Sequence, residues 1–265
     1  MPQQNRRQKE IVALAQQTGE VTVDDLADRF GVSPQTIRKD LNELGTARLL
    51  TRTHGGAILS SGVENVAYAA RRALAREEKE RIGRHAASLI PNDTSLLLNI
   101  GTTTEAVARH LLDHQGLMVV TNNIHVATIL MPAAGIELTI VGGLVRKSDG
   151  GILGGNMIDF IDQFKVDRAV IGVSAIDDDG ALLDFDRREV AAARAIIENA
   201  RQVILVADAM KFTRTAPIRI GNLAQVDTFV TDRSPPTPIV DLCRQNGVAL
   251  EIVDDPDAPK TQIFD

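Results

Sequence analysis

Several short segments of this chain gather the residue types that hold an anion. Asn99-Ile100-Gly101-Thr102-Thr103-Thr104 follows an apolar run and opens a helical pattern. Free backbone amides, three hydroxyls and the positive end of a helix would meet there, which suits a phosphate. Thr121-Asn122-Asn123 and Gly142-Gly143 follow the next two apolar runs. Ser174 ends Gly172-Val173-Ser174, and Lys211, within Asp208-Ala209-Met210-Lys211-Phe212, offers a point charge. Asp184, Asp186 and Glu189 have the chemistry to accept bonds from ligand hydroxyls. Any one of these loops is also an ordinary cap or turn. Their recurrence at equivalent places along the chain is what points to one pocket.

The elements that would position them are legible in the apolar pattern. Short runs at 95–98, 118–120, 138–141, 169–173, 203–206, 229–231 and 250–253 read as buried strands. Helical periodicity fills 105–112, 124–131, 187–199 and 239–245. Strands alternating with helices predict an α/β domain, a doubly wound and mainly parallel sheet with its ligand loops at the carboxyl ends of the strands.

A second kind of chemistry lies near the N-terminus. Ser33 suits a cap, Pro34 a first helical position, and Ile37, Leu41 and Leu44 form one apolar stripe. Gln35, Thr36, Arg38, Lys39 and Asn42 then project from the other faces. Val23, Leu26, Ala27 and Phe30 give a preceding helix that stops at Gly31, and Ile11, Leu14 and Ala15 give one before it. Residues 49–58 read as a hairpin, so the whole is an N-terminal winged helix-turn-helix. In such a module Gln35, Thr36 and Arg38 face base edges in the major groove of double-stranded DNA, with Lys39, Arg52 and His54 nearer the phosphates. Taken alone, Arg38 and Lys39 would be ordinary solvated charges beside Asp40 and Glu43. The ordered set of helices, caps and wing outweighs that reading.

The chain is acidic, with net charge -6 over 265 residues. Residues 1–60 nevertheless carry eight Lys and Arg against seven Asp and Glu. A near-neutral DNA reader joined to an acidic second domain fits this division. The expected organisation is residues 1–59 as the DNA-binding domain, 60–76 as a linker, 77–253 as a sensor domain and 254–265 as a disordered tail. The arginine-bearing stretch Arg71 to Arg84 reads as a solvated linker helix. No apolar run is long enough to span a membrane and no signal peptide is visible, so a cytoplasmic protein is expected. The single Cys243 excludes an internal disulfide and belongs on the apolar side of a late helix. His110 and His114 would share a helical face, but no third ligand accompanies them, so no metal is expected. Asp177-Asp178-Asp179-Gly180 reads as a turn.

These motifs together resemble the DeoR family of bacterial transcriptional regulators over residues 8–253. The reader segment 33–41 with Thr53-His54-Gly55-Gly56-Ala57 is similar to the family's DNA-binding signature. Gly101-Thr102-Thr103, Thr121-Asn122-Asn123, Gly142-Gly143 and residues 208–212 resemble its sensor. The resemblance implies a sensor similar in fold to ribose-5-phosphate isomerase, a small phosphorylated effector, operator DNA as partner and a homo-oligomer, dimer or tetramer. It is strongest with members that answer to sn-glycerol 3-phosphate, through residues 77–82, 149–152, 159–161, 185–190 and 194–199. Such a protein would repress genes for glycerol uptake and oxidation and leave its operator when the effector binds. Many family sensors have an aspartate where this chain has Asn99. A different sugar phosphate as effector, an isomerase-like enzyme and a DNA-tethered scaffold without ligand are the alternatives. Related isomerases carry an aspartate-rich loop where this chain has Gly172-Val173-Ser174-Ala175, so no catalytic residue and no cofactor are expected.

Overall fold

The computed structural model describes residues 5–18, 20–46, 49–53, 55–59 and 68–253. His54, residues 60–67 of the expected linker and the tail at 254–265 lie outside the described residues. The chain divides into two units, Met1–Ala75 and Arg76–Asp265.

The first unit runs α1 (Arg6–Thr18), β1 (Glu20–Thr22), α2 (Val23–Phe30), α3 (Pro34–Thr46), β2 (Leu50–Thr53), β3 (Gly56–Leu59) and α4 (Tyr68–Ala73). Thr22 caps α2 by accepting from Asp25 N at 3.1 Å, and Gly31 ends it at φ 61°, a left-handed turn that favours glycine. Ser33 Oγ accepts from Thr36 N at 3.2 Å and so starts α3, with Pro34 in its first position. Ile11, Leu26, Ile37, Leu41, Leu44, Leu50 and Ile58 are all buried and make the core of this unit. The hairpin is present but belongs to a three-stranded antiparallel sheet, because Glu20–Thr22 pairs with Gly56–Ile58. Three residues are too short a run to register as a strand in sequence.

The second unit continues with α5 (Arg76–Ser88), β4 (Ser95–Leu98), α6 (Thr102–Arg109), β5 (Leu117–Thr121), α7 (Ile124–Leu130), β6 (Ile136–Ile140), β7 (Leu144–Arg146), β8 (Gly151–Leu153) and α8 (Gly155–Ile161). Next come β9 (Val166–Ile171), β10 (Ala175–Ile176), β11 (Ala181–Asp184), α9 (Arg187–Glu198), β12 (Ala200–Val206), β13 (Ile218–Asn222), β14 (Thr228–Thr231), α10 (Thr237–Asn246) and β15 (Ala249–Ile252). Seven strands form one parallel sheet in the order β15-β14-β12-β9-β4-β5-β6. The chain starts in the middle at β4, winds outward through β5 and β6, then returns to β9 and winds the other way. The reversal between β4 and β9 opens a crevice at their carboxyl ends, the usual ligand position in an open parallel sheet. Buried aliphatic clusters cover both faces, one around Leu97, Val120, Ile171 and Phe229, the other around Ile82, Leu98, Val119 and Val206.

Two sequence expectations need correction. The linker helix is two elements: α4 falls within the expected linker, Ala75 breaks the chain at φ 49°, and α5 is part of the sensor core. Lys79, Ile82, Gly83, Ala86 and Ala87 of α5 are buried, and a Cβ on Gly83 would lie 2.6 Å from the Ala106 carbonyl carbon of α6. Abundant surface charge on α5 hid this narrow apolar stripe. His110 and His114 do not share a helical face, since α6 ends at Arg109; His110 Nε2 contacts Glu80 and His114 Nε2 contacts the Ile90 carbonyl. Asp40 on α3 is 4 % exposed and takes Arg7 Nε at 2.6 Å, a hydrogen bond that raises the Arg7 pKa.

The turn at 177–180 is present, with Gly180 N donating to Asp177 O at 2.8 Å. Cys243 is fully buried on α10, and burial pushes its thiol up to about 11. Among the described residues no helix is long and apolar enough to cross a membrane, and no group of three His, Cys, Asp or Glu is placed to hold a metal.

Candidate DNA-reading helix and effector site

α3 separates its faces as its sequence requires. Ile37, Asp40, Leu41 and Leu44 are buried, whereas Ser33, Gln35, Arg38, Lys39 and Asn42 are exposed and Thr36 is half-buried. The Ser33 and Thr36 hydroxyls are 2.9 Å apart, so both are committed to the start of the helix. Gln35, Arg38, Lys39 and Asn42 therefore have their polar ends available to a groove. Arg52 is exposed on β2 and donates to Gly56 O at 3.0 Å, which fixes it on the wing hairpin.

In the second unit the sheet register sets the expected loops side by side. Leu98 pairs with Thr121 and with Val170, Leu205 with Ile171, and Val206 with Val230. The residues after these strands, Asn99, Asn122, Gly172, Ala207-Asp208 and Asp232, therefore share one rim. Gly101, at φ 153°, turns the chain from β4 into α6, and Thr104 Oγ1 donates back to its carbonyl at 2.8 Å. Thr103 and Thr104 are buried, and Thr102 is half-exposed.

Several expected ligand groups are held by the protein itself. Thr121 Oγ1 donates to Leu98 O at 2.7 Å, and Asn123 caps α7 by accepting from His125 N at 2.8 Å. Asn99 Oδ1 accepts from Ile100 N, and Ser174 Oγ donates to Asp184 Oδ1 at 3.0 Å. These bonds fix the shape of the rim. Gly142 and Gly143 are exposed and lead into β7, not into the buried rim.

Asn122 is different. It is 1 % exposed, yet both its amide nitrogen and its amide oxygen lack a hydrogen-bond partner among the described residues. Thr231 Oγ1, at the end of β14, is buried and unpartnered in the same way. Burying such groups costs about 1–3 kcal/mol each unless something bonds to them, and positions that carry this cost cluster at binding sites.

Buried charge gathers at the β12 end of the rim. Asp208 is 2 % exposed; burial opposes its charge, but Lys211, Lys79 and Arg214 hold the carboxyl below its ordinary range. Lys211 Nζ lies 4.0 Å from Asp208 Oδ2. Three buried cations thus act on this one carboxylate. Lys79 and Arg214 are absent from the sequence-derived set. Lys79 was hidden in the charge run of α5, and no pattern marked Arg214.

A further cluster was half legible. Arg146 on β7 donates to both carboxylate oxygens of Asp149 at 2.7 Å, to Asp186 at 3.0 Å and to Glu189 at 2.6 Å. Asp186 and Glu189, carboxylates whose chemistry suits ligand hydroxyls, are both paired with this arginine. Asp186 also caps α9 and is brought to about 2, first by its hydrogen bond with Arg188 and further by Arg146. The β7–β8 hairpin sits over the second loop, with Ile152 N donating to Asn122 O and Ile124 N to Gly150 O. Arg146 thus ties the cover of Asn122 to the start of α9. A groove of about 500 Å³ elsewhere, lined by Ile158, Val190, Arg194 and Ile218, gathers none of these groups.

An exposed helix with its wing, joined to a parallel α/β domain with buried polar groups at its carboxyl rim, is the architecture of a transcriptional regulator with a sensor domain. Residues 7–62 match the DeoR-like helix-turn-helix domain and residues 74–233 the DeoR C terminal sensor domain. The chain belongs to the DeoR family and is a DNA-binding regulator, not an enzyme. It is 46% identical over 249 residues to the "Glycerol-3-phosphate regulon repressor" of Escherichia coli (strain K12), covering 94% of this chain and 99% of that one. A protein of the same description from Haemophilus influenzae is 45% identical, with 88% and 91% covered. The "HTH-type transcriptional repressor GlcR" of Bacillus subtilis (strain 168) is 33% identical, with 95% and 97% covered. Among solved structures, a ribose 5-phosphate isomerase from Plasmodium falciparum overlaps with a TM-score of 0.38 at 13% identity, covering 51% of this chain and 52% of that one.

Proposed function

We propose that this chain is a cytoplasmic repressor of glycerol and glycerol-3-phosphate genes, released from its operator by sn-glycerol 3-phosphate. The observation that carries the effector half is Asn122, a fully buried amide with neither end bonded, on a rim that also holds the buried side chains of Lys211 and Asp208. A small molecule with a phosphate and neighbouring hydroxyls meets both needs. The 46% identity to a glycerol-3-phosphate regulon repressor over nearly the full length of both chains supports that choice among phosphates.

On this reading Gln35, Arg38 and Asn42 address base edges, and Lys39 and Arg52 the phosphates. The chain acts as a dimer or tetramer, because paired helix-turn-helix modules read half-sites a helical turn or a multiple apart. Effector that binds one sensor conformation more tightly than another shifts the paired readers away from that spacing. A tenfold loss of operator affinity requires a coupling of only about 1.4 kcal/mol.

The test is fluorescence anisotropy of labelled DNA from upstream of a glycerol-uptake operon, titrated with protein at fixed salt and then challenged with sn-glycerol 3-phosphate and other sugar phosphates. Release by glycerol phosphate alone is the expected result. Release only by another phosphate would overturn the effector and leave the repressor standing.

A further inference from the structure

β6 is one edge of the seven-stranded sheet, with β5 as its one strand neighbour among the described residues. Gly135 O accepts from Leu117 N, and Val141 N donates to Thr121 O. Odd-numbered residues therefore turn their backbone groups toward β5. Along a strand this direction alternates, so Ile136, Leu138 and Ile140 aim theirs off the sheet. The Ile136 N–H is taken by Ala133 O at 3.2 Å. What remains outward is the Ile136 carbonyl and both groups of Leu138 and Ile140.

Open edges are ordinarily guarded by charge, proline or a bulge. Here Glu137 is the one charged residue between Ile136 and Ile140, no proline is present, and the register with β5 is unbroken. Apolar exposure concentrates in the sequence around it. Of five large apolar side chains exposed among the described residues, four fall within fifteen residues: Met131 at 73 %, Ile140 at 44 %, Leu144 at 66 % and Val145 at 42 %.

We propose that this edge pairs with the same edge of a second copy, antiparallel about Leu138, joining two sensor sheets into one. Residue order selects both the occupant and the register. With Leu138 opposite Leu138, Ile136 faces Ile140 and Glu137 faces Thr139, so no like charges oppose each other. Shifting by two residues one way sets Glu137 against Glu137, which is destabilising. Shifting the other way sets Thr139 against itself and shortens the ladder. An odd shift opposes outward groups to inward ones and breaks it. In the favoured register the two Leu138 residues exchange two hydrogen bonds, and each Ile140 N–H reaches an Ile136 carbonyl. A five-residue edge falls short of the roughly 800 Å² per partner of a stable interface, so Met131, Leu144 and Val145 supply the further apolar area. The proposed operator reading enters only as the reason that two copies are needed.

The test uses the full chain. In a non-hydrogen-bonded antiparallel pair the Cα atoms are about 4.5 Å apart, within disulfide range. The double variant Glu137→Cys/Thr139→Cys should therefore oxidise to a covalent dimer on a non-reducing gel and revert with dithiothreitol; the native Cys243 is buried. Ile140→Lys, at an exposed position, should raise the dimer dissociation midpoint about tenfold or more in sedimentation with unchanged circular dichroism. Dimeric mass without the cross-link would place the contact elsewhere and overturn the proposal, as would a monomer at operator-binding concentrations. Operator titration of the same samples keeps the two readings apart. DNA binding without the cross-link sinks the edge alone, and the cross-link without DNA binding sinks the repressor alone.

Discussion

Arg146 Nη2 lies 2.6 Å from Glu189 Oε2, joining the β7–β8 hairpin to α9 across 43 residues of sequence. Glu189 is 8 % exposed and Asp149 3 % exposed. Two buried carboxylates thus share one guanidinium, whose own charge is opposed by burial and secured by Asp149 and Glu189. Removing one partner of a buried ion pair leaves an uncompensated charge, so Arg146→Ala should lower unfolding stability by about 3–5 kcal/mol. Arg146→Lys should recover only part of this, because an ammonium does not reproduce the two-pronged bond to Asp149. Urea unfolding decides the matter, and an unchanged midpoint for Arg146→Ala would mean that the cluster contributes nothing to the fold.

Asp186 gives the cluster a signature in acid. Its folded pKa is about 2, depressed by Arg188 first and then by Arg146, below the 3.8 of an ordinary aspartate. A group depressed on folding stabilises above its unfolded pKa, and that stability drains as pH falls from about 4 to about 2. Asp186→Asn keeps an acceptor for the α9 cap and deletes the titration. The variant should be less stable at pH 7 by at most about 2 kcal/mol, with a shallower loss between pH 4 and 2. Parallel thermal-melt curves for the two proteins over that range would remove Asp186 from the acid response.

Sequence reading succeeded where a signal is local and failed where it is shared between distant residues. The α3 cap, its apolar stripe and the strand–loop–helix at Asn99–Thr104 are each specified within about ten residues, and each stands where it was expected. The strand order is not local, but alternation of strand and helix leaves few parallel topologies. Arg146 escaped notice because its partners lie 3, 40 and 43 residues away. Lys79 escaped because, in a run of charges, a buried lysine and an exposed one have the same spacing. Thr121 and Asn123 were correctly placed on the rim, but whether a polar side chain bonds a ligand or its own backbone depends on turn geometry that residue type does not reveal.

The exposed face of α3 predicts two separable DNA phenotypes. Arg38→Ala should erase discrimination between operator and unrelated DNA, since a bidentate arginine contributes about 1–3 kcal/mol of base selectivity. Lys39→Ala should weaken binding to all sequences alike and reduce the slope of log affinity against log salt by about one. Both residues are exposed, so unfolding stability should stay within about 0.5 kcal/mol of the parent. Competition binding at several salt concentrations measures all three quantities. Retained discrimination in Arg38→Ala would place base reading on other side chains of α3.

Asn122 separates stability from sensing more sharply than any other position. A buried amide with neither end bonded within the protein is a cost to the fold. Replacing it with leucine of similar size removes the unsatisfied groups, so Asn122→Leu should be neutral or stabilising in urea. If that amide instead meets the effector, the same change should abolish release from the operator while operator affinity without effector stays the same. Asn122→Asp sets a negative charge against the proposed anionic effector and should abolish release as well, with a loss of stability from burying the charge. Leu and Asp variants then share one functional defect with opposite stability changes, a combination that a purely structural asparagine cannot produce. Normal effector release by Asn122→Leu would move the ligand off this loop, toward the Asp208–Lys211 end of the rim.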